Sequence, residues 1–162
     1  MDNLDLIAKE IRVCQRCELR MTATQPVPGL GQIGAKYFLI GEAPGREEDG
    51  EGVPFVGAAG RRLDKLIALA GIDLSDCYLS NVCRCRPPQN RTPRKKEIAA
   101  CVGFLWREIK LVTPQYVITL GSTPLSLFCP YGVSQMHGTM FEWELEEGQT
   151  KERRFIDTLF SE

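Results

Sequence analysis

The sequence of 162 residues lacks several features that would place it in common protein classes. No run approaches ~18 consecutive apolar residues, which excludes a membrane-spanning helix. Residues 1–5 are acidic and no apolar stretch follows them, so we expect no secretory signal and a cytoplasmic location. The net charge is only −1, which argues against a protein held to nucleic acid mainly by bulk charge.

Cysteine, by contrast, is abundant, and the chain has seven: Cys14, Cys17, Cys77, Cys83, Cys85, Cys101 and Cys129. A reducing compartment disfavours disulfides, and an odd number fits a fully paired framework poorly. Cys14 and Cys17 have the spacing of a chelating turn, and Cys85 and Cys101 supply two further thiolates. Four thiolates hold either a [4Fe–4S] cluster or a tetrahedral zinc ion, and the spacing does not choose between them. Cys83 competes with Cys85, although its apolar surroundings also suit a core residue.

The hydrophobic pattern predicts strands that alternate with helices. The predicted strands are 37–40, 77–82, 116–120, 140–145 and 153–159, and the predicted helices are 4–12, 58–70, 92–112 and 122–128. This alternation indicates an α/β fold with a mainly parallel sheet. Ligands on such sheets bind beyond the carboxyl ends of the strands, where the loops after Gly41, Asn81 and Gly121 meet.

Two of these loops have compositions that suit binding. The loop Gly41-Glu42-Ala43-Pro44-Gly45 is small enough to let a planar ligand or an oxyanion approach the backbone. The acidic run after it can orient a water molecule, or it is a solvated part of an ordinary turn. Downstream of Asn81, positive charge is concentrated in 84–96, which is either a solvated face or a local site for phosphates.

Three motifs in order give the chain a specific resemblance. They are Gly-Glu-Ala-Pro-Gly at 41–45 with Glu48-Asp49, Pro-Phe-Val-Gly at 54–57, and Asn81-Val-x-x-Cys-Arg-Pro-Pro-x-Asn-Arg-Thr-Pro93. Leu120-Gly121 and Gly138-x-x-Phe-Glu-Trp143 follow in the same order. Together they resemble the family 4 uracil-DNA glycosylases, which are iron–sulfur members of the uracil-DNA glycosylase superfamily. The match extends from Cys14 to Trp143.

The resemblance implies a three-layer α/β/α domain that excises uracil from DNA. We expect the protein to be a monomer and not to associate with a membrane. The resemblance implies a structural [4Fe–4S] cluster on Cys14, Cys17, Cys85 and Cys101, with zinc as the alternative from spacing alone. It also implies DNA-phosphate contacts on the loop and helix beside this cluster. These contacts would come from Arg86, Arg91, Lys95 and Lys96.

The implied chemistry is hydrolysis of the N-glycosidic bond of deoxyuridine after the base has left the helical stack. Phe55 matches the family's stacking residue, and the Asn81 amide offers a donor and an acceptor to the base. Gly41, Glu42 and Ala43 match the segment that binds water and base. Glu42 and Glu48 are therefore the predicted catalytic carboxylates, which would position water or stabilise positive charge at the sugar. Without the resemblance, Phe55 would read as a core aromatic and Asn81 as a turn residue.

The C-terminal part departs from the family pattern. The family carries a His-Pro pair after the last core strand, then a DNA-inserting loop and a terminal helix. Here Phe160 and Ser161 fall where that pair is expected, and the sequence given stops at Glu162. We therefore expect one domain over 1–162 that lacks these parts, with reduced activity. The alternatives are a truncated glycosylase or a non-catalytic iron–sulfur protein that binds uracil or DNA. We expect His137, the only histidine, to be an ordinary surface residue.

Overall fold

A computed structural model describes residues 2–144 and 153–158, with the segment 153–158 and residue 144 described by backbone only. The chain forms one five-stranded sheet in the order β2-β1-β3-β5-β4. The strands are β1 (Tyr37–Gly41), β2 (Cys77–Asn81), β3 (Tyr116–Thr119), β4 (Met140–Glu144) and β5 (Arg153–Thr158). All neighbouring pairs are parallel except β4 and β5, which are antiparallel. The predicted mainly parallel α/β sheet is confirmed.

Seven α-helices lie within residues 2–144. They are α1 (Leu4–Arg12), α2 (Leu19–Thr22), α3 (Arg46–Glu51), α4 (Ala58–Leu69), α5 (Lys95–Val112), α6 (Ser122–Leu125) and α7 (Val133–Met136). None of the helices in the described part of the chain is long and apolar enough to cross a membrane.

The sheet lies between two helical layers because alternate strand residues point to opposite faces. Phe38 and Ile40 of β1 pack in one apolar cluster with Ile7 and Ile11 of α1 and with the buried face of α5. Leu39, between them, packs on the opposite face with Leu63 and Ile67 of α4. The three-layer α/β/α arrangement is therefore present in the described residues.

Helix α1 is fastened to α5 by packing and by charge. Ile7 and Ile11 are fully buried against α5. At the rim of this contact, Arg107 donates to Asp2 Oδ2 at 2.9 Å and to Glu10 Oε1 at 3.0 Å. Because hydrogen bonds to charged groups are stronger than neutral ones, this fork sets how the first helix docks.

An ion pair is buried where β2 meets α5. Arg84 and Glu108 are 2% and 1% exposed, and the Arg84 Nη2 atom lies 2.7 Å from Glu108 Oε2. Ser80 donates to the same carboxylate oxygen at 2.7 Å. A buried pair of this kind is costly to break, because each partner would leave an uncompensated charge in the interior.

Several predicted boundaries differ from the structure, and the helix predicted over 122–128 ends at Leu125. The helix expected to start at Thr92-Pro93 starts at Lys95, because the backbone N–H of Arg94 donates to Glu97 Oε2 at 2.6 Å and caps the helix there. The acidic run after Gly45, interpreted as a turn or solvated segment, forms the helix α3. Its Glu48 and Asp49 are buried because their carboxylates accept from backbone N–H groups of distant residues.

Candidate active site

The predicted binding residues of two adjacent strands meet at the carboxyl edge of the sheet. Gly41 ends β1 directly opposite Asn81 at the end of β2. A side-chain carbon placed on Gly41 would lie 2.8 Å from Phe55 Cζ and would also collide with the Asn81 amide oxygen. The Phe55 ring and the Asn81 amide therefore lie close against the bare backbone of Gly41. The structure brings these three predicted residues together.

Phe55 is held in an unusual backbone conformation. Its φ is +58°, in the left-handed region that bulky side chains rarely occupy. Gly60, in the first turn of α4, lies directly under the Phe55 carbonyl, so that any side chain at position 60 would collide with it. Strain of this kind costs on the order of 1–3 kcal/mol and persists where the surroundings impose it. The backbone at Phe55 is thus fixed by how closely α4 approaches.

Glu48 fastens the loop that carries Phe55. Its Oε1 accepts from the backbone N–H of Gly57 at 2.7 Å, and its Oε2 accepts from that of Gly45 at 3.1 Å. The side chain is 8% exposed. Both oxygens of this predicted catalytic carboxylate are therefore engaged in joining the Gly45 turn to the Phe55 loop.

Glu42 has a different environment from Glu48. It follows β1 at once and is half-buried, and its Oε2 accepts a hydrogen bond from the hydroxyl of Thr123. Its backbone carbonyl accepts from the N–H of Cys83 at 3.0 Å, which fixes the chain after β1 to the chain after β2. Ala43, also half-buried, packs against the apolar cluster on the α5 side of the sheet. Of the two predicted catalytic carboxylates, Glu42 is the one with an oxygen left for a ligand.

Thr123 was not predicted as a site residue. The sequence places the loop after Gly121 among the three loops at the ligand edge of the sheet. This is the only indication that a residue such as Thr123 belongs to the site. Gly121 has a φ of +99°, which suits glycine, and the turn it makes leads into α6 with Thr123 facing Glu42. No pattern in the sequence identifies the partner, because the two residues are 81 positions apart.

The four predicted cysteine ligands line one pocket between the N-terminal segment and α5. Cys14, Cys17, Cys85 and Cys101 contribute to its wall, whereas Cys83 does not. Three arginines share the lining: Arg16, Arg20 and Arg84. Four cysteines on one pocket wall match, in type and number, the ligands of a [4Fe–4S] cluster or a structural zinc ion.

The thiols around this pocket differ in their pKa values. Burial raises the pKa of Cys17, and it raises that of Cys85 to about 12. The hydrogen bond between Cys83 and Cys101 lowers the pKa of Cys101 to about 7 and raises that of Cys83. The Cys101 sulfur also accepts from the backbone N–H of Arg84 at 3.2 Å. A metal at this pocket would displace the protons from the neutral thiols of Cys17 and Cys85.

The donor set fits a metal centre in type and number, but the sulfurs do not converge. Among the described residues, no group of three or more His, Cys, Asp or Glu side chains is arranged to bind a metal ion. The pocket therefore supports the predicted ligands through the four cysteines that line it.

The predicted DNA-contacting residues divide into free and engaged side chains. Arg91 makes a two-point contact with the buried carboxylate of Glu97, at 2.9 and 2.8 Å. Lys96 lies 2.9 Å from Glu18. Arg86 donates only to the Asn90 amide, at 2.7 Å, and Lys95 is exposed without an ion pair to any described residue. Arg86 and Lys95 are thus the two members of this set with uncompensated charge.

The predictions for the C-terminal part have a limited structural test. Phe160 and Ser161, which fall where the family carries its His-Pro pair, lie outside the described residues. His137 is exposed at the end of α7, in agreement with the surface position expected for it.

Known proteins of one superfamily are similar to this chain. The model of the uracil DNA glycosylase superfamily matches residues 28–160. A type-4 uracil-DNA glycosylase from Saccharolobus solfataricus is 43% identical over 152 residues, which cover 90% of this chain and 70% of that protein.

Two further type-4 uracil-DNA glycosylases are similar. The protein from Archaeoglobus fulgidus is 44% identical over 75% of this chain and 61% of its own length. The protein from Thermotoga maritima is 37% identical over 86% of this chain and 74% of its own length. The matched regions thus span from 61% to 74% of these three relatives. With the site geometry, these matches place the chain in the uracil DNA glycosylase superfamily, in its type-4 family.

Proposed function

We propose that this protein hydrolyses the N-glycosidic bond of deoxyuridine in DNA, releasing uracil and leaving an abasic site for repair. The observation that carries the proposal is the convergence of Phe55, Asn81 and Gly41 beside Glu42 at the carboxyl edge of the sheet. The names of the type-4 relatives support the same reaction.

The three converging residues have complementary tasks in holding a flipped uracil. The Phe55 ring offers a face for stacking, and the Asn81 amide offers both a donor and an acceptor to the polar edge of the base. Gly41, which has no side chain, allows the Asn81 amide and the Phe55 ring to lie against the end of β1. Cytosine presents the opposite hydrogen-bonding pattern at its exocyclic group, so it would leave buried polar groups unpaired and be rejected.

Glu42 would act on the sugar side of the same pocket. Its carboxylate would orient the attacking water and stabilise the positive charge that develops on the sugar as uracil departs. Glu48, with both oxygens on backbone N–H groups, would serve the reaction by holding the Phe55 loop. Ala43 would line the pocket beside Glu42.

The proposed cofactor is a [4Fe–4S] cluster on Cys14, Cys17, Cys85 and Cys101, which all line one pocket. When bound, it would cross-link the N-terminal segment to the loop and helix that carry Arg86 and Lys95, so that these side chains meet DNA phosphates from a fixed base. Zinc is the alternative for the same four sulfurs, and analysis of iron and sulfide distinguishes the two.

A single-turnover assay on a uracil-containing single-stranded oligonucleotide tests the proposed function. The protein is prepared anaerobically, and strand scission at abasic sites is measured after alkali treatment. We expect product from the uracil oligonucleotide, none from the same oligonucleotide with cytosine or thymine in place of uracil, and a loss of product in Asn81→Ala. Binding of uracil DNA without any abasic product would instead support the non-catalytic alternative.

A further inference from the structure

The Glu42 side chain depends on one described contact for its position. Its backbone is fixed, since the carbonyl of Gly41 accepts from Val82 N–H at 2.9 Å and that of Glu42 accepts from Cys83 N–H. The carboxylate lies at the end of a flexible side chain. Among residues 2–144, the only hydrogen bond or ion pair that reaches it comes from the Thr123 hydroxyl.

Thr123 is well suited to hold another side chain in place. It is 7% exposed in α6, which packs against β1 and β3. A threonine is restricted at χ1 by its branched Cβ, so its hydroxyl oxygen has few available positions. The turn at Gly121 fixes where α6 begins, and the N–H of Leu120 donates to the Ile40 carbonyl at 2.8 Å, which ties the end of β3 to the end of β1.

The two carboxylate oxygens of Glu42 have different hydrogen-bonding environments. Oε2 accepts from Thr123, whereas Oε1 has no hydrogen-bond donor among the described residues. A carboxylate oxygen held in this way can accept a hydrogen bond from a water molecule at a defined position. Accurate placement of a reacting group lowers a barrier because its orientation is fixed before reaction.

We propose that Thr123 is a positioning residue for the glycosylase reaction, which holds Oε2 of Glu42 so that Oε1 is presented to the attacking water. This inference rests on the proposed function. It assigns a role to the loop after β3, so that all three loops at the ligand edge take part in the reaction.

The test compares Thr123→Val, which keeps the shape of the side chain and removes the donor, with Thr123→Ser, which keeps the donor. A hydrogen bond to a charged group has a net effect that corresponds to about a 10- to 100-fold change in rate. We expect the single-turnover rate to fall by about that factor in Thr123→Val, with the affinity for uracil DNA unchanged, and to recover in Thr123→Ser.

Thr119→Val is the matched control. Thr119 is fully buried at the end of β3, and its hydroxyl has no hydrogen-bond partner among the described residues. The same change at this nearby position is expected to leave the rate within about twofold, since it removes no hydrogen bond. Melting temperatures of the three variants show whether any loss of rate follows from unfolding.

A double-mutant cycle with Glu42→Gln separates positioning from a general effect on structure. If Thr123 acts through Glu42, Thr123→Val causes little further loss in the Glu42→Gln background. An equal fold-loss in both backgrounds, or no loss in the wild-type background, would overturn the inference while leaving the glycosylase activity intact.

Crystal structures of the two variants provide a test that does not depend on turnover. We expect the Glu42 carboxylate to be displaced in Thr123→Val and unmoved in Thr123→Ser. A carboxylate in the same place in both variants would contradict the positioning role. If the wild-type protein gives no abasic product, the proposed function fails, and these two structures still decide whether Thr123 positions Glu42.

Discussion

At the scale of single residues, the missing side chain at position 41 defines how closely a ligand can approach. Gly41 occupies an ordinary strand conformation, so the reason for glycine lies in the space and not in the backbone. The Asn81 amide and the Phe55 ring fill the surroundings of that space. In the proposed reaction, the Asn81 amide would hold the edge of a planar base and the Phe55 ring would stack on its face.

Gly41→Ala is therefore expected to impair the pocket. The added carbon would lie 2.8 Å from Phe55 Cζ and collide with the Asn81 amide oxygen, so one of these groups must move. We expect the single-turnover rate on uracil DNA to fall by at least about tenfold, because a misplaced binding group readily costs about 1.4 kcal/mol or more. Gly50→Ala is the control, since nothing lies within 4 Å of the added carbon there. A Gly41→Ala enzyme as fast as the control would contradict this account.

The choice between Cys83 and Cys85 as metal ligand is also decided at the residue scale. Cys85 lines the pocket, whereas Cys83 is fully buried and does not. We expect Cys85→Ser to lose iron and sulfide, and Cys83→Ser to retain them. Iron and acid-labile sulfide per protein, measured after anaerobic purification, give the answer. Iron loss from Cys83→Ser with retention in Cys85→Ser would reverse the assignment.

Several site residues are predictable from sequence and others are not. Asn81 and Phe55 lie in motifs with recognisable order, and Gly41 ends an apolar run typical of a buried strand. The partners of the charged groups escape sequence reasoning, because Thr123 for Glu42 and Gly57 for Glu48 depend on how loops meet after the sheet has formed. From sequence alone, a carboxylate in an acidic run is interpreted as solvent-exposed, because the groups that donate hydrogen bonds to it are not known.

At the scale of elements, the start of α4 determines the conformation of the loop before it. Gly60 allows the helix to pass directly under the backbone of Phe55. The helix boundaries predicted from apolar spacing agree with the structure here, whereas the close contact depends on the absence of a side chain.

Gly60→Ala is expected to destabilise the protein and to disturb Phe55. Overpacking of this kind typically costs about 1–3 kcal/mol, and here the colliding atoms are backbone atoms that cannot rotate away. Gly103→Ala in α5 is a matched control, because nothing lies within 4 Å of the added carbon and alanine favours a helix by about 0.5–1 kcal/mol. Urea unfolding should show opposite signs for the two variants. A stabilising Gly60→Ala would mean that α4 lies farther from Phe55.

The first turn of α5 introduces a dependence of stability on pH. The contact with Arg91, aided by the Arg94 N–H, lowers the pKa of Glu97 from 4.5 to about 2. Because the folded-state pKa is the lower one, ionised Glu97 stabilises the fold fully above about pH 4.5, and this contribution is lost as the pH falls toward 2.

We therefore expect the stability difference between wild type and Glu97→Gln to be largest near pH 7 and to shrink between pH 4.5 and the lower pKa of about 2. Urea unfolding at several pH values measures it, with Arg91→Gln as a second variant that removes the same contact. A difference that stays constant down to about pH 3 would show that the carboxylate is not held by Arg91.

At the scale of the whole molecule, the net charge of only −1 means that bulk charge would contribute little to DNA binding. Of the four residues proposed to contact phosphates, Arg91 and Lys96 are paired with Glu97 and Glu18, so these contacts would depend mainly on Arg86 and Lys95. Binding through few phosphates implies a modest dependence on salt.

We expect Arg86→Gln and Lys95→Gln each to weaken DNA binding and to flatten the plot of log affinity against log salt. The slope should change by about 0.7 to 0.9 for each phosphate that the variant no longer neutralises. Lys65→Gln makes the same change in charge on α4, in the opposite helical layer, and should leave the slope unchanged. Fluorescence anisotropy across a salt series measures all three. Equal slopes for Lys95→Gln and Lys65→Gln would place the DNA surface elsewhere.

The docking of α1 on α5 has a consequence for synthesis. Glu10 and Arg107 are separated by 97 positions, so the ribosome makes the first helix long before the helix that covers it. At about 5–20 residues per second, the interval is roughly 5 to 20 s. During that time the helix that covers Ile7 and Ile11 is missing, so the apolar face of α1 is exposed.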